Sequence, residues 1–397
     1  MLKVKSMVIA VTVMLGASGV ANASLLKSGY TVGTNIGHVS KRVNVGSYGD
    51  LSWQATSRII GASDLGTGSA SNQAGDPLYN ANSSYNGVVG MLMQTNNGNF
   101  VCSGTLLNDR RSIATAAHCV SSGAGTALPL STTIFFQPEN GMLDPATSIY
   151  ASPEGVVEIE VSDYFVNPDY TGEVIDQNDI AILRLADEAP EWATSHDLYL
   201  GDDLTGQAFN VAGYGVRGNG DDGVTANSGR LRQGNNVYDF AFGDDAFGGF
   251  WTDRDPDGFN FFGTADIEFS YISDLDTGLA ENDMSGNLGN FFGTTLFEEL
   301  GLGLNEVGVA GGDSGGPNFI NNLLSGINSY GLTFGADFGD TDDELNNTFG
   351  ELSGYVPTWL HADFIRQSML QVSAPQTLGV FILSFSLLLL RKRKRLI

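Results

Sequence analysis

Basic residues are scarce. Nineteen Lys and Arg stand against forty-five Asp and Glu in 397 residues, a formal charge of −26. Seven of those bases sit at the two ends, as Lys3, Lys5 and the run Arg391 to Arg395, so the body is more acidic still. Such a surface excludes nucleic acid as a natural partner and favours solubility. Cysteine is nearly absent, with Cys102 and Cys119 alone, so no multi-disulfide scaffold is possible. Histidine is limited to His38, His118, His196 and His361. Long apolar runs are also missing. Met7 to Leu15 is apolar apart from Thr12, and Leu378 to Leu390 spans thirteen residues, about 20 Å as a helix against a hydrocarbon core of about 30 Å.

What is present is glycine, 52 residues, and aromatics at 10% within a hydrophobic content of 42%. That mixture excludes wholesale disorder and points to a loop-rich all-β protein with a large core.

The chemistry concentrates at Gly312-Asp313-Ser314-Gly315-Gly316-Pro317. A serine hydroxyl is a weak nucleophile until a base stands beside it, and it needs N–H groups aimed at the developing oxyanion. Flanking glycines permit the open backbone such a site requires. Taken alone, the run reads sooner as a surface turn than as a nucleophile loop. Two further stretches decide between these: Thr115-Ala116-Ala117-His118-Cys119 and Asn178-Asp179-Ile180-Ala181-Ile182-Leu183. The chain order His118, Asp179, Ser314 differs from the orders of subtilisins and α/β-hydrolases.

With Cys102-Ser103-Gly104-Thr105 before the histidine and Ser325-Gly326-Ile327-Asn328-Ser329-Tyr330-Gly331 after the serine, the chain resembles the trypsin/chymotrypsin-like serine peptidases from about Ile59 to Met369. The resemblance implies an all-β fold of two antiparallel six-stranded barrels closed by a C-terminal helix. It implies a secreted serine endopeptidase acting on protein or peptide substrates through an acyl-enzyme. His118 is then the base, Asp179 its orienting partner and Ser314 the nucleophile, with Gly312 and Ser314 N–H groups as the oxyanion hole. Ser329, Tyr330 and Gly331 correspond to the edge that pairs with substrate backbone. Gly308, six residues before the serine, corresponds to the floor of the primary pocket; lacking charge, it favours an apolar or small side chain there. Asp337, Asp340, Asp342 and Asp343 are the acids able to enter that pocket from another direction. Cys102 and Cys119 correspond to a disulfide beside the histidine, two free buried thiols being the alternative. Arg58-Ile59-Ile60-Gly61 resembles an activation site whose new terminus at Ile59 pairs with Asp313; an Arg that merely precedes a strand is the other reading. The competing functional class is a catalytically silent cell-surface structural or adhesion protein on the same fold.

Along the chain, 1–23 reads as a signal peptide with Ala21-Asn22-Ala23 as its cleavage site. Residues 24–58 are polar and glycine-spaced, an N-terminal segment or propeptide. Strands are expected at 88–93, 100–102, 112–115, 156–161, 180–185, 208–215, 231–237 and 267–271 within a peptidase domain of 59–371. A long stretch at about 217–306 holds many of the 23 phenylalanines and is expected to be a packed insertion. Residues 359–369 read as the closing helix, with His361 at its surface or cap; His196 lies in a polar Thr-Ser-His-Asp loop.

No cofactor is required by this chemistry. Asp253-Arg254-Asp255-Pro256-Asp257-Gly258 opens like a calcium loop, yet Thr264 stands where the closing Glu belongs, so an Asx-rich turn is expected, with calcium as the alternative. Residues 373–397 join Ala374-Pro375-Gln376, the apolar run and the basic cluster. They resemble a PEP-CTERM bacterial sorting tail, with Ala-Pro-Gln in place of Pro-Glu-Pro. Signal peptidase and an exosortase-type enzyme become expected partners, and export to the envelope, surface or medium the expected destination; a permanent membrane anchor is the alternative.

Overall fold

The computed structural model describes residues 43–48, 51–56, 83–123, 128–138, 148–302 and 306–371. The expected signal peptide, Arg58, Ile59 and the 373–397 tail lie outside the described residues. No described helix is long and apolar enough to cross a membrane.

The fold is mostly β, with two strand systems and a C-terminal helix, and it fits the chymotrypsin-like two-barrel architecture. The first barrel is closed by β3 (Val88–Thr95), β4 (Gly98–Leu106), β5 (Ser112–Thr115), β6 (Ser131–Phe136), β7 (Val157–Val166) and β8 (Ala181–Leu185), in the order β3-β4-β5-β8-β7-β6. β3 and β4 form the expected hairpin about Asn96-Asn97, where Gly98 adopts φ 124°. Val88, Met91, Ile113, Ile134 and Ile182 are fully buried inside. β6 lacks a clear apolar alternation, since its first half, Ser131-Thr132-Thr133, is polar.

The second system is a nine-stranded sheet. Its strands are β1 (Val43–Tyr48), β2 (Leu51–Thr56), β9 (Ala208–Gly213), β12 (Arg232–Val237), β13 (Phe240–Ala241), β14 (Tyr271–Leu275), β15 (Pro317–Ile320), β16 (Leu323–Thr333) and β17 (Glu351–Pro357). The main path runs β12-β9-β15-β16-β17-β14-β13, with β2 attached to β16 and β1 to β2. The ends of the path, β12 and β13, are separated in the chain by only Tyr238 and Asp239, so the sheet must curl round on itself. A small ribbon of β10 (Arg217–Asn219) and β11 (Gly223–Ala226) stands beside it. Helix α1 (Met284–Phe292) is capped by Asp283, whose carboxylate accepts from Gly286 N. Helix α2 (Ala362–Leu370) closes the chain described here.

Three expectations shift. Within the segment expected to be an N-terminal segment or propeptide, residues 43–48 and 51–56 are strands of the second sheet. The strand expected at 267–271 begins at Tyr271, because Ser270 N bonds back to Ile267 O as a turn. The expected helix starts at Ala362 rather than 359, after a turn.

The insertion is packed, as its phenylalanines implied. Phe240, Phe242, Phe247, Trp251, Phe262 and Phe297 form one aromatic cluster, with Trp251 wholly buried. Ring pairs within it lie at 5–6 Å, such as Phe240–Phe247 at 5.1 Å and Trp251–Phe261 at 4.9 Å. Leu51 and Ala55 of β2 are buried in the same cluster, and Trp53 meets Phe262 edge-on at 4.9 Å.

Candidate active site

His118 lies in a short 3-10 turn directly after β5, and Asp179 directly before β8. β5 and β8 are neighbours that pair Thr115 with Ala181. Two positions 61 residues apart are thus brought together by one strand pairing. His118 Nδ1 stands 2.6 Å from Asp179 Oδ2, and His118 N donates to Asp179 Oδ1 at 2.8 Å. Asp179 is 1% exposed, so water competes little for these bonds. A proton on Nδ1 held by the carboxylate leaves Nε2 as an acceptor.

Ser314 comes from the second sheet, in the loop entering β15. That loop is bolted to the first barrel: Ser103 N donates to Ser314 O at 2.8 Å, and Ser103 Oγ donates to Gly312 O at 2.7 Å. The disulfide Cys102–Cys119 joins β4 to the histidine turn. Cys119 Sγ lies 3.7 Å from Ser314 O, which sets the serine beside the histidine turn. Gly315 has φ 80°, and a Cβ there would sit 2.0 Å from Thr115 Oγ1 and 2.5 Å from Ser103 O, so only glycine fits this approach. Gly312 has φ 103°, the left-handed turn that aims successive N–H groups outward. Among the described residues, neither Gly312 N–H nor Ser314 N–H has an acceptor.

Ser314 Oγ and His118 Nε2 are both buried and neither has a hydrogen-bond partner, so the serine–histidine bond is not made in this state. Catalytic contacts of this kind often tighten only around substrate.

Ser329, marked in the sequence for its backbone alone, contributes its side chain: Oγ donates to Asp179 Oδ2 at 2.6 Å. Asp179 Oδ2 therefore serves both the serine and the imidazole. The only signal for this was a serine within the matched Ser325–Gly331 segment. Tyr330 is fully buried and its hydroxyl shares a 2.7 Å bond with Ser270 Oγ. Gly331 pairs with Thr56, Leu332 with Ala55 and Thr333 with Gln54. Of the edge expected to receive a substrate strand, Gly331 is thus paired with the chain's own β2, which is antiparallel and runs toward Ser329.

The trypsin family model matches residues 79–237. The match covers about two-fifths of the chain and includes His118 and Asp179 but stops short of Ser314. No curated protein matches the chain. With the two-barrel architecture, the match marks a trypsin-like serine-peptidase fold.

Asp313, beside the nucleophile, is buried. Oδ1 accepts from Gly215 N at 2.7 Å and Oδ2 from Ala310 N at 3.0 Å. Burial pushes its carboxyl up to about 7, against the lowering effect of the Gly215 bond. It faces a small, half-open cleft lined also by Val211, Val216, Arg217, Arg232, Val307, Gly308 and Val309. Gly308 thus shares a wall with Asp313. Of the nearby acids, Asp340 is buried and accepts from Thr333 Oγ1 at 2.6 Å, while Asp343 accepts from Ala336 N at 3.1 Å.

The other histidines stand apart from this chemistry. His196, in its polar loop, is buried at 4% exposure; its ring lies tilted against Phe319 at 4.4 Å, Nδ1 faces Asn322 O at 3.2 Å, and burial lowers its pKa. His361 occupies the N-cap position of α2 but is buried, bridging Gln177 O at 2.7 Å and Asn167 Nδ2 at 3.2 Å. In the 253–258 loop, Asp255 Oδ1 accepts from Asp257 N and Phe259 N, an Asx turn. The Arg254 guanidinium binds the Gly258, Thr264 and Ala265 carbonyls there.

Proposed function

We propose that this protein is an exported serine endopeptidase. Ser314 attacks the scissile carbonyl; His118 takes its proton and returns it to the leaving amine. Asp179 holds the imidazole tautomer and stabilises the imidazolium, and the Gly312 and Ser314 N–H groups receive the oxyanion. The observation that carries this reading is the 2.6 Å contact of His118 Nδ1 with a buried Asp179, which leaves Nε2 unpartnered in the same site as an unpartnered Ser314 Oγ. Covalent labelling by a fluorophosphonate tests it: wild type should label at Ser314, and Ser314→Ala should not. Absence of labelling in protein freed of its N-terminal segment would favour the silent, structural reading. That reading draws support from the occupied edge of β16.

Activation is proposed to follow cleavage after Arg58. The support is Asp313, a buried carboxylate held by two N–H groups beside a cleft that Arg217 and Arg232 also line; an ammonium at Ile59 would meet its counter-charge there. Until then β2 acts as an internal occupant of the substrate edge. Gly308 at the primary pocket is proposed to select an apolar or small side chain. The leader and the apolar-basic tail are proposed to direct export and envelope sorting through signal peptidase and an exosortase-type enzyme; deleting 378–397 should release the protein from the envelope fraction.

A further inference from the structure

The second sheet buries more carboxylate than its surroundings neutralise. Asp274 lies in β14, Asp276 just beyond it, Asp283 at the cap of α1, and Glu306 opposite Asn235 of β12 in an isolated bridge. Their exposures are 2, 0, 3 and 1%. Asp239, between β12 and β13, joins them through Ser285, whose hydroxyl donates to Asp239 Oδ2 while its N–H donates to Asp274 Oδ2. No Lys or Arg occurs between Arg254 and Arg366. No ion pair among the described residues involves any of the five. Buried charge without a counter-charge is strongly unfavourable.

Three of these side chains converge. Asp274, Asp276 and Glu306 each bring a carboxylate oxygen to within 4.8 Å of the other two. Oxygens bound to one calcium ion at about 2.3–2.6 Å stand at most about 5 Å apart, so the spacing suits a single ion. Backbone donors reach part of the group: Gly278 N bonds Asp276 Oδ1, Leu302 N bonds Glu306 Oε1 at 2.8 Å and Asp276 N bonds Glu306 Oε2 at 3.2 Å. Asp276 Oδ2, on a wholly buried side chain, has no donor at all. An oxygen acceptor with no N–H or O–H to meet it, inside a cluster of like charges, is what a cation would satisfy.

We propose that Asp274, Asp276 and Glu306 form a binding site for a hard divalent cation of the calcium type. All-oxygen, carboxylate-rich ligands select this class over zinc or copper. Calcium fits better than magnesium, which keeps most of its water and so resists a site of several buried carboxylates. The ion would clamp β14 to Glu306, whose next three residues, Val307 to Val309, line the Asp313 cleft and lead into the Ser314 loop. Its role is structural, and the site is separate from the Asx turn at 253–258.

Calorimetric titration of the chelator-treated full chain with calcium chloride is the test, alongside melting curves with calcium or magnesium. We expect one saturable calcium site, a melting temperature raised by several degrees and at least tenfold weaker binding of magnesium. Asp276→Asn should lower calcium affinity at least tenfold without lowering the melting temperature of the calcium-free protein. Glu306→Gln serves as the second variant if that one does not fold, with the same expected loss. Absence of both heat and melting shift in wild type would overturn the proposal, as would unchanged calcium affinity in a folded variant. A cluster that shares protons instead would give a calcium-insensitive wild type and likewise overturn it. Fluorophosphonate labelling at Ser314 is read separately, so loss of the cation site and loss of the peptidase reading are distinguishable.

Discussion

The first barrel closes with its own six strands, gathered from residues 88–185, whereas the second borrows from far along the chain. β1 and β2 arrive from residues 43–56, and the aromatic loops and α1 arrive from the insertion. A closed barrel hides its edges and its inner face by itself, while an open curled sheet must have both covered. The covering explains two features of the second half: the dense phenylalanine cluster and the strand paired with Gly331 to Thr333. The putting of His118 and Asp179 in one barrel and Ser314 in the other makes the site depend on both.

The strongest way to probe that dependence is at the chemistry. Ser314→Ala should lower turnover by about a millionfold, and Asp179→Asn by about 10⁴-fold through the wrong imidazole tautomer. Both should melt close to wild type, since neither removes much buried volume. Steady-state kinetics and thermal melting check this. Turnover of Ser314→Ala above that of Asp179→Asn would undo the assignment of roles.

The next effect separates the two cores. Trp251→Ala should cost about 3–5 kcal/mol, measured by urea unfolding, because the side chain is fully buried among Phe242, Phe247 and Phe262. If the second half unfolds first, fluorophosphonate labelling should fail at a lower urea concentration than first-barrel secondary structure is lost. A loss below about 1 kcal/mol would mean that the aromatic cluster adds little to the sheet.

How much of this was legible in the sequence differs in the same way between the halves. β3, β4, β5 and β8 show local alternation and nearby turns, and the three reactive residues sit in short motifs that need no knowledge of packing. β2 carries alternation too, in Leu51, Trp53 and Ala55, but six residues in a polar, glycine-spaced stretch gave no sign of a partner 275 residues on. The strand expected at Ile267 had apolar alternation as well, yet its first residues are spent on a turn. The serine hydroxyl on Asp179 and the meeting of Asp274, Asp276 and Glu306 depend on pairings between distant strands, which no local pattern encodes.

A smaller effect concerns pH. Asp313 in the second half is raised to about 7 and Asp176 in the first to about 6, in both cases chiefly by burial. Unfolded aspartates ionise near 4. These two therefore favour the folded state fully below about pH 4. That advantage fades as pH rises through about 6 and 7, by on the order of a few kcal/mol. Urea midpoints in uncleaved protein should show the decline, and Asp313→Asn should flatten its upper part while Asp176→Asn flattens the lower. Cleavage that brings an ammonium to Asp313 should also flatten the upper part. An unchanged slope in both variants would count against the burial argument.

The finest test is at the edge where the halves meet the substrate. β2 pairs Thr56 with Gly331 and stops two residues short of Ser329, whose hydroxyl bonds Asp179. A peptide substrate gains from edge pairing about 0.5–1.5 kcal/mol per hydrogen bond, so two bonds are worth roughly tenfold or more in kcat/KM. A single-residue ester does not use that edge. While β2 holds Gly331 to Thr333, a tetrapeptide ester should be hydrolysed no more than about threefold better than the single-residue ester with the same reacting group. Trp53→Ala loosens the hairpin from Phe261 and Phe262 and should restore roughly a tenfold preference for the peptide, leaving the small ester unchanged. A strong peptide preference in the intact full-length chain would show that β2 does not compete for the edge. Failure to hydrolyse either ester, together with absent fluorophosphonate labelling, would count against the peptidase itself rather than the hairpin.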